Sequence, residues 1–91
     1  MEKIKVAIVD DHQLVTKALE RMLSSYEDLD VIHTSNNGEV FLNHLKSCDE
    51  QPQVVLMDVN MPVRNGVETT LEVTEHFPDV RVIALTMEDS E

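Results

Sequence analysis

Tryptophan is absent, and one tyrosine and two phenylalanines are the whole aromatic complement, so a core must be built from aliphatic residues and five methionines. The single cysteine, Cys48, excludes an internal disulfide and fits a reducing, cytoplasmic setting. No apolar run approaches the roughly 18–20 residues of a membrane span. Met1-Glu2-Lys3 leads directly into a short apolar run without the small-residue cleavage pattern of a secretory signal. Basic residues are few and scattered, 7 Lys and Arg against 18 Asp and Glu, for a formal net charge of -11. Neutralising phosphates needs clustered Lys and Arg, so this segment is not expected to bind nucleic acid. A Gly-rich phosphate loop, a nucleophilic Ser or Cys motif and Rossmann glycine spacing are missing as well.

What remains is a chain of 91 residues, 42% hydrophobic, with room for one small domain and no linker or low-complexity segment. A domain of this size buries only about 60–65% of its unfolded surface, so its core must be continuous. Apolar runs of strand length alternate with stretches of helical period, the rhythm of successive βα units. Strands are predicted at Ile4 to Val9, Leu29 to Thr34, Val54 to Met57 and Val80 to Leu85. The first, third and fourth are apolar on both faces, as parallel strands covered by helices are; the second alternates with polar residues and reads as an edge.

Three helices are predicted between them. The first carries one apolar stripe of Leu14, Val15, Ala18, Leu19, Met22 and Leu23. Asn36-Asn37-Gly38-Glu39 and Asn65-Gly66-Val67-Glu68 have the spacing of a capping box and open the second and third. The second is expected to bury Val40, Phe41, Leu45 and Cys48, and the third Val67, Leu71 and Phe77 before ending at Pro78.

Open parallel α/β sheets bind ligands at the carboxyl ends of their strands, near the point where strand order reverses. Here those ends are Asp10-Asp11, Asp58 and Thr86. If the first and third strands are neighbours, the carboxylates converge, and such a cluster repels itself unless a cation is present. Mg²⁺ suits few carboxylates, open water positions and a phosphate ligand. The stretch Asp58-Val59-Asn60-Met61-Pro62-Val63-Arg64-Asn65-Gly66 is the most specific in the chain: Asp58 follows a buried strand directly, and Pro62 and Gly66 shape the loop before the third helix. The histidines, His12, His33, His44 and His76, fall on different elements. Only His44 and Cys48 share helical i, i+4 spacing, and a transition-metal site is not expected from that pair.

Taken jointly, Val9-Asp10-Asp11, Asp58 with Met61-Pro62 and Gly66 at their offsets, and Ala84-Leu85-Thr86 resemble the receiver domain of two-component response regulators. The resemblance runs from the first strand to the last residue. Asp10-Asp11-His12 and Leu85-Thr86-Met87-Glu88-Asp89 look most like the NarL/LuxR-type transcription regulators. It implies a flavodoxin-like, doubly wound parallel sheet of order 2-1-3-4-5, of which this chain holds only β1-α1-β2-α2-β3-α3-β4. Residues 1–91 would be a receiver domain that stops after its fourth strand, without the family's fifth-strand Lys or the aromatic partner of its switch residue. The unpaired fourth strand would then expose Val80, Val82, Ile83 and Ala84, inviting a homodimer or element exchange between copies.

Functionally, the resemblance makes Asp58 the acceptor of a phosphoryl group from a sensor histidine kinase and Thr86 the switch residue. Mg²⁺ would be held by Asp10, Asp11, Asp58 and the backbone carbonyl of Asn60. The Asn60 and Glu88 side chains would tune the lifetime of the acyl phosphate. Output would be transcriptional, through a DNA-binding domain outside this segment. Two other readings stand beside it: a receiver-like interaction module that is never phosphorylated, and a phosphatase using Asp58 as nucleophile. The latter usually carries a second Asp two residues on, where this sequence has Asn60.

Overall fold

The computed structural model describes residues 3–58 and 66–85. Strands β1 (Ile4–Val9), β2 (Leu29–Ser35), β3 (Val54–Asp58) and β4 (Arg81–Leu85) alternate with helices α1 (Gln13–Ser24), α2 (Gly38–Ser47) and α3 (Gly66–His76). All strand pairs are parallel and the sheet order is β2-β1-β3-β4. This is the expected doubly wound α/β sheet, with β2 at one edge and β4 at the other and no fifth strand among the described residues. The first connection therefore runs outward and the later ones run the opposite way, so strand order reverses between β1 and β3, the position where such sheets hold their ligands.

One face of the sheet supplies the core. Ala7, Val9, Val55 and Met57 pack with Phe41, Leu42, Leu45, Val73 and Val80, and Phe77 and Val82 lean against them. Alternation along the strands sends Val6 and Ile8, both buried, to the opposite face, where α1 lies on β1 and β2. A bulge in β2 sets Ala7 opposite His33 where Val6 faces Val31, leaving Ile32 as the extra residue. Without it His33 and Ser35 would keep the facing of Val31; with it they turn toward α2.

Helix starts and faces depart from the sequence expectation in physical detail. Asn37, not Asn36, caps α2: its backbone is extended and its side chain accepts from the Val40 N–H at 2.9 Å. Glu39 is therefore the second helical residue, and the capping-box register is off by one. The Gln51 side chain closes the other end of α2 by donating to the carbonyls of Leu45 at 2.8 Å and Cys48 at 3.3 Å. Asn65, the predicted cap of α3, lies outside the described residues. Gly66 is the buried first residue of α3 and has no positive φ, so it serves close packing and not a left-handed turn.

Several apolar residues assigned to the core are exposed. Phe41 and Leu45 are buried as predicted, together with Leu42, but Val40 is on the open side of α2. In α3 the buried row is Gly66, Thr69 and Val73, whereas Val67 and Leu71, one turn apart on a neighbouring row, face outward at 57% and 66% exposure. Helix α1 splits the same way: Val15, Leu19 and Leu23 are half-buried and Leu14, Ala18 and Met22 are exposed, so no residue of α1 is fully buried. The cause is shared. A wide apolar stripe needs neighbours on both flanks, and among the described residues α2 and α3 lie beside each other while α1 lies against β1 and β2. At the β4 edge Ile83 and Ala84 are exposed as expected, yet Val80 is buried and Val82 half-buried because α2 and α3 cover that side.

Candidate functional site

Strands β1 and β3 are hydrogen-bonded neighbours, with Val9 opposite Met57. Asp10 follows β1 and Asp58 ends β3, so parallel pairing delivers both to the same rim of the sheet. Each is almost fully buried, at 3% and 2% exposure, which is unusual for an Asp and ties both carboxylates to rigid backbone. The Asp10 N–H donates to the Ser35 carbonyl at 3.1 Å, fastening the end of β1 to the end of β2 as well.

Asp11 and His12 complete the group. One ligand atom from each of Asp10, Asp11, His12 and Asp58 lies within 4.8 Å of all the others. The His12 backbone N–H donates to Asp10 Oδ1 at 2.8 Å, and its Nδ1–H donates to the same oxygen at 2.9 Å. Nδ1 is also 3.2 Å from Asp11 Oδ1 and 3.8 Å from Asp58 Oδ2. The hydrogen bond to Asp10, followed by the charge of Asp11, raises the His12 pKa above its ordinary 6.5. Protonated, the ring is a cation set against three carboxylates.

The acidic triad was legible from the strand ends; His12 was not singled out, although Asp10-Asp11-His12 stood in the sequence as the signal. Its position explains why. As N-cap of α1 it makes no side-chain cap bond, and the ring turns back over the acids. Asn60, Pro62, Thr86 and Glu88 lie outside the described residues, and Gly66 is placed at the head of α3.

A second histidine arrangement replaces the His44–Cys48 spacing considered from sequence. His44 on α2 stacks on His33 of β2 with ring centroids 3.6 Å apart and planes 7° apart, and Phe41 flanks His33 at 6.1 Å. His33 Nε2 also meets Ser35 Oγ. Burial, and then the charge of His44, lowers the His33 pKa below 6.5. The two rings tie β2 to α2.

The donor set of three carboxylates fits Mg²⁺, a hard cation that takes oxygen ligands and keeps several waters. Fold and site together define an α/β domain with an acidic, cation-type pocket at its strand reversal. The chain belongs to the response regulator receiver domain family, whose model matches residues 6–91. It is 37% identical over 89 residues to the transcriptional regulatory protein DegU of Brevibacillus brevis, covering 98% of this chain and 37% of that protein. It is 41% identical over 86 residues to a protein-glutamate methylesterase/protein-glutamine glutaminase of Clostridium acetobutylicum, covering 94% of this chain and 24% of that one. The structure of the isolated REC domain of RcsB from Salmonella enterica serovar Typhimurium, in the presence of phosphomimetic BeF3-, superposes with a TM-score of 0.85 at 26% identity. That match covers 98% of this chain and 65% of the RcsB chain. The chain thus spans only part of each of these relatives. No described helix is long and apolar enough to cross a membrane.

Proposed function

We propose that this chain is the phosphoacceptor portion, residues 1–91, of a longer cytoplasmic response regulator, with Asp58 receiving the phosphoryl group of a sensor histidine kinase. The observation that carries this reading is the buried Asp58 carboxylate at the end of β3, beside Asp10 and Asp11. An Asp58 carboxylate oxygen would attack phosphorus as the P–N bond of the donor phosphohistidine breaks. The electron pair of that bond leaves with the donor imidazole, and Asp58 becomes an acyl phosphate. Such a transfer has a loose transition state, so positioning and electrostatics supply most of the catalysis. Bound Mg²⁺, held by Asp10, Asp11, Asp58 and the Asn60 backbone carbonyl, would neutralise charge between the carboxylate and the incoming phosphoryl group.

Thr86, the next residue in sequence after Leu85, would then donate its hydroxyl to a phosphoryl oxygen, and Asn60 and Glu88 would govern access of hydrolytic water. Phosphorylation would bias two conformations, read by an output domain elsewhere in the protein. DegU is a transcriptional regulator, which supports a DNA-binding output; the methylesterase relative carries a different one. A dimer through the exposed Ile83 and Ala84 edge of β4 is a second element of the proposal.

Incubation with Mg²⁺ and acetyl phosphate tests the central step. One added phosphoryl group, absent from Asp58→Ala, is expected. Repeated turnover of a phosphate ester would instead favour the phosphatase reading, and absence of labelling in the full-length protein the unphosphorylated interaction module.

A further inference from the structure

Among the described residues His12 is the one non-carboxylate side chain in the acidic group, and its placement is specific. An octahedral cation with donors at about 2.1 Å holds adjacent donor atoms about 3.0 Å apart and opposite ones about 4.2 Å apart. The His12 Nδ1 distances of 2.9 Å to Asp10 and 3.2 Å to Asp11 match adjacent donors, and the 3.8 Å to Asp58 lies between the adjacent and opposite spacings. Helix capping does not account for the ring's position, since the side chain makes no cap bond. Its backbone N–H is anchored to Asp10, so the imidazole is held at the site by the same carboxylate that would bind the cation.

Resting on the reading of this cluster as a receiver cation site, we propose that His12 Nδ1 is a further ligand there and biases the site from Mg²⁺ toward divalent transition ions such as Mn²⁺ and Co²⁺. The chemistry is that of donor preference. Mg²⁺ is bound chiefly through oxygen and dehydrates reluctantly, so a nitrogen donor adds little to its binding. Transition ions accept imidazole readily and gain a bond. Ligation exchanges the Nδ1 proton for the metal, the proton passing to solvent and the neutral ring keeping its proton on Nε2. Mn²⁺ and Co²⁺ can support the same phosphoryl chemistry, so His12 would set which ion serves, not whether transfer occurs.

The test is equilibrium binding of Mn²⁺, Co²⁺ and Mg²⁺, each alone, to the full chain and to His12→Ala, His12→Gln and Asp10→Asn. Circular dichroism reports folding of each variant. His12→Ala and His12→Gln are expected to lower Mn²⁺ and Co²⁺ affinity roughly tenfold while lowering Mg²⁺ affinity by less than about threefold. The visible absorption of bound Co²⁺ is expected to shift as a nitrogen ligand is lost. Equal loss for all ions, no loss for any, or tighter binding of every ion overturns the proposal; the last would make His12 an internal cation competing with the metal. Asp10→Asn separates the two levels. If it abolishes binding of all ions while the His12 variants leave the ion ratios unchanged, the His12 assignment fails alone. If it leaves binding of all ions intact, the acidic-site reading fails and takes the His12 assignment with it.

Discussion

Replacing Asp58 with Asn should stabilise the chain when no divalent cation is available. Asp10 and Asp58 are both nearly fully buried, and their ligand oxygens lie within 4.8 Å of each other. At that separation two unit charges repel by about 3.5 kcal/mol at an effective dielectric of 20 and by about 1 kcal/mol in water. Asn keeps the shape of Asp and removes one charge, so Asp58→Asn should gain about 1–3 kcal/mol, a rise in Tm of at least about 4 °C for a domain of this length. His12 gives the effect a pH dependence. Its folded pKa is raised by Asp10 and Asp11, so its stabilising charge is fully present below about 6.5 and is lost as pH rises through the higher folded value. The advantage of Asp58→Asn should therefore be larger near pH 8 than near pH 6. Added Mg²⁺ should narrow it, because the cation stabilises the wild-type cluster more than the variant. Far-UV circular dichroism melts in EDTA and in Mg²⁺ measure this, tryptophan fluorescence being absent. An Asp58→Asn chain that melts at or below the wild type in EDTA refutes the electrostatic reasoning.

Leu45→Ala should cost about 2–5 kcal/mol in urea unfolding, since Leu45 is 1% exposed in the core, while Val67→Ala should stay within about 0.5 kcal/mol because Val67 faces outward. Equal losses would contradict the face assigned to α3. Asn37→Ala should cost about 1 kcal/mol by freeing the Val40 N–H, and Asn36→Ala much less, a contrast that fixes the register of α2. The lowered folded pKa of His33 contributes stability present above about pH 6.5 and lost as pH falls. His33→Phe should make acid unfolding less steep as pH falls below about 6.5, and an unchanged profile would exclude the stacked pair as its cause. Ile83→Lys should suppress any self-association seen by sedimentation, since Ile83 lies exposed on the open edge strand.

Strand positions and the acids at their ends were readable because each depends on short-range pattern, β-branched runs that stop at acids; the strand order came with the family resemblance. Asp58 proved to be the last residue of β3 and Val80 to precede β4, shifts of one residue that pairing partners decide. Which flank of an apolar stripe is covered was not readable. Val67 and Val73 look alike in sequence, and only the placement of the neighbouring strands and helices buries one and exposes the other. The β2 bulge is likewise invisible in Val31-Ile32-His33, yet it turns His33 toward α2 and makes the stacked histidine pair. His12 was concealed by its type. A histidine at a helix start reads as an ordinary polar residue until the backbone turn after β1 brings its ring over the carboxylates.

The central claim is that Asp58 is where phosphoryl groups are received, and it is most directly tested by trapping the acyl phosphate. After reaction of the full-length protein with acetyl phosphate and Mg²⁺, borohydride reduction converts a phosphorylated Asp to homoserine, which peptide mass mapping locates. Conversion confined to position 58 and dependent on Mg²⁺ is the predicted result. Conversion at Asp10 or Asp11 instead, or no Mg²⁺-dependent conversion at any carboxylate, would contradict it.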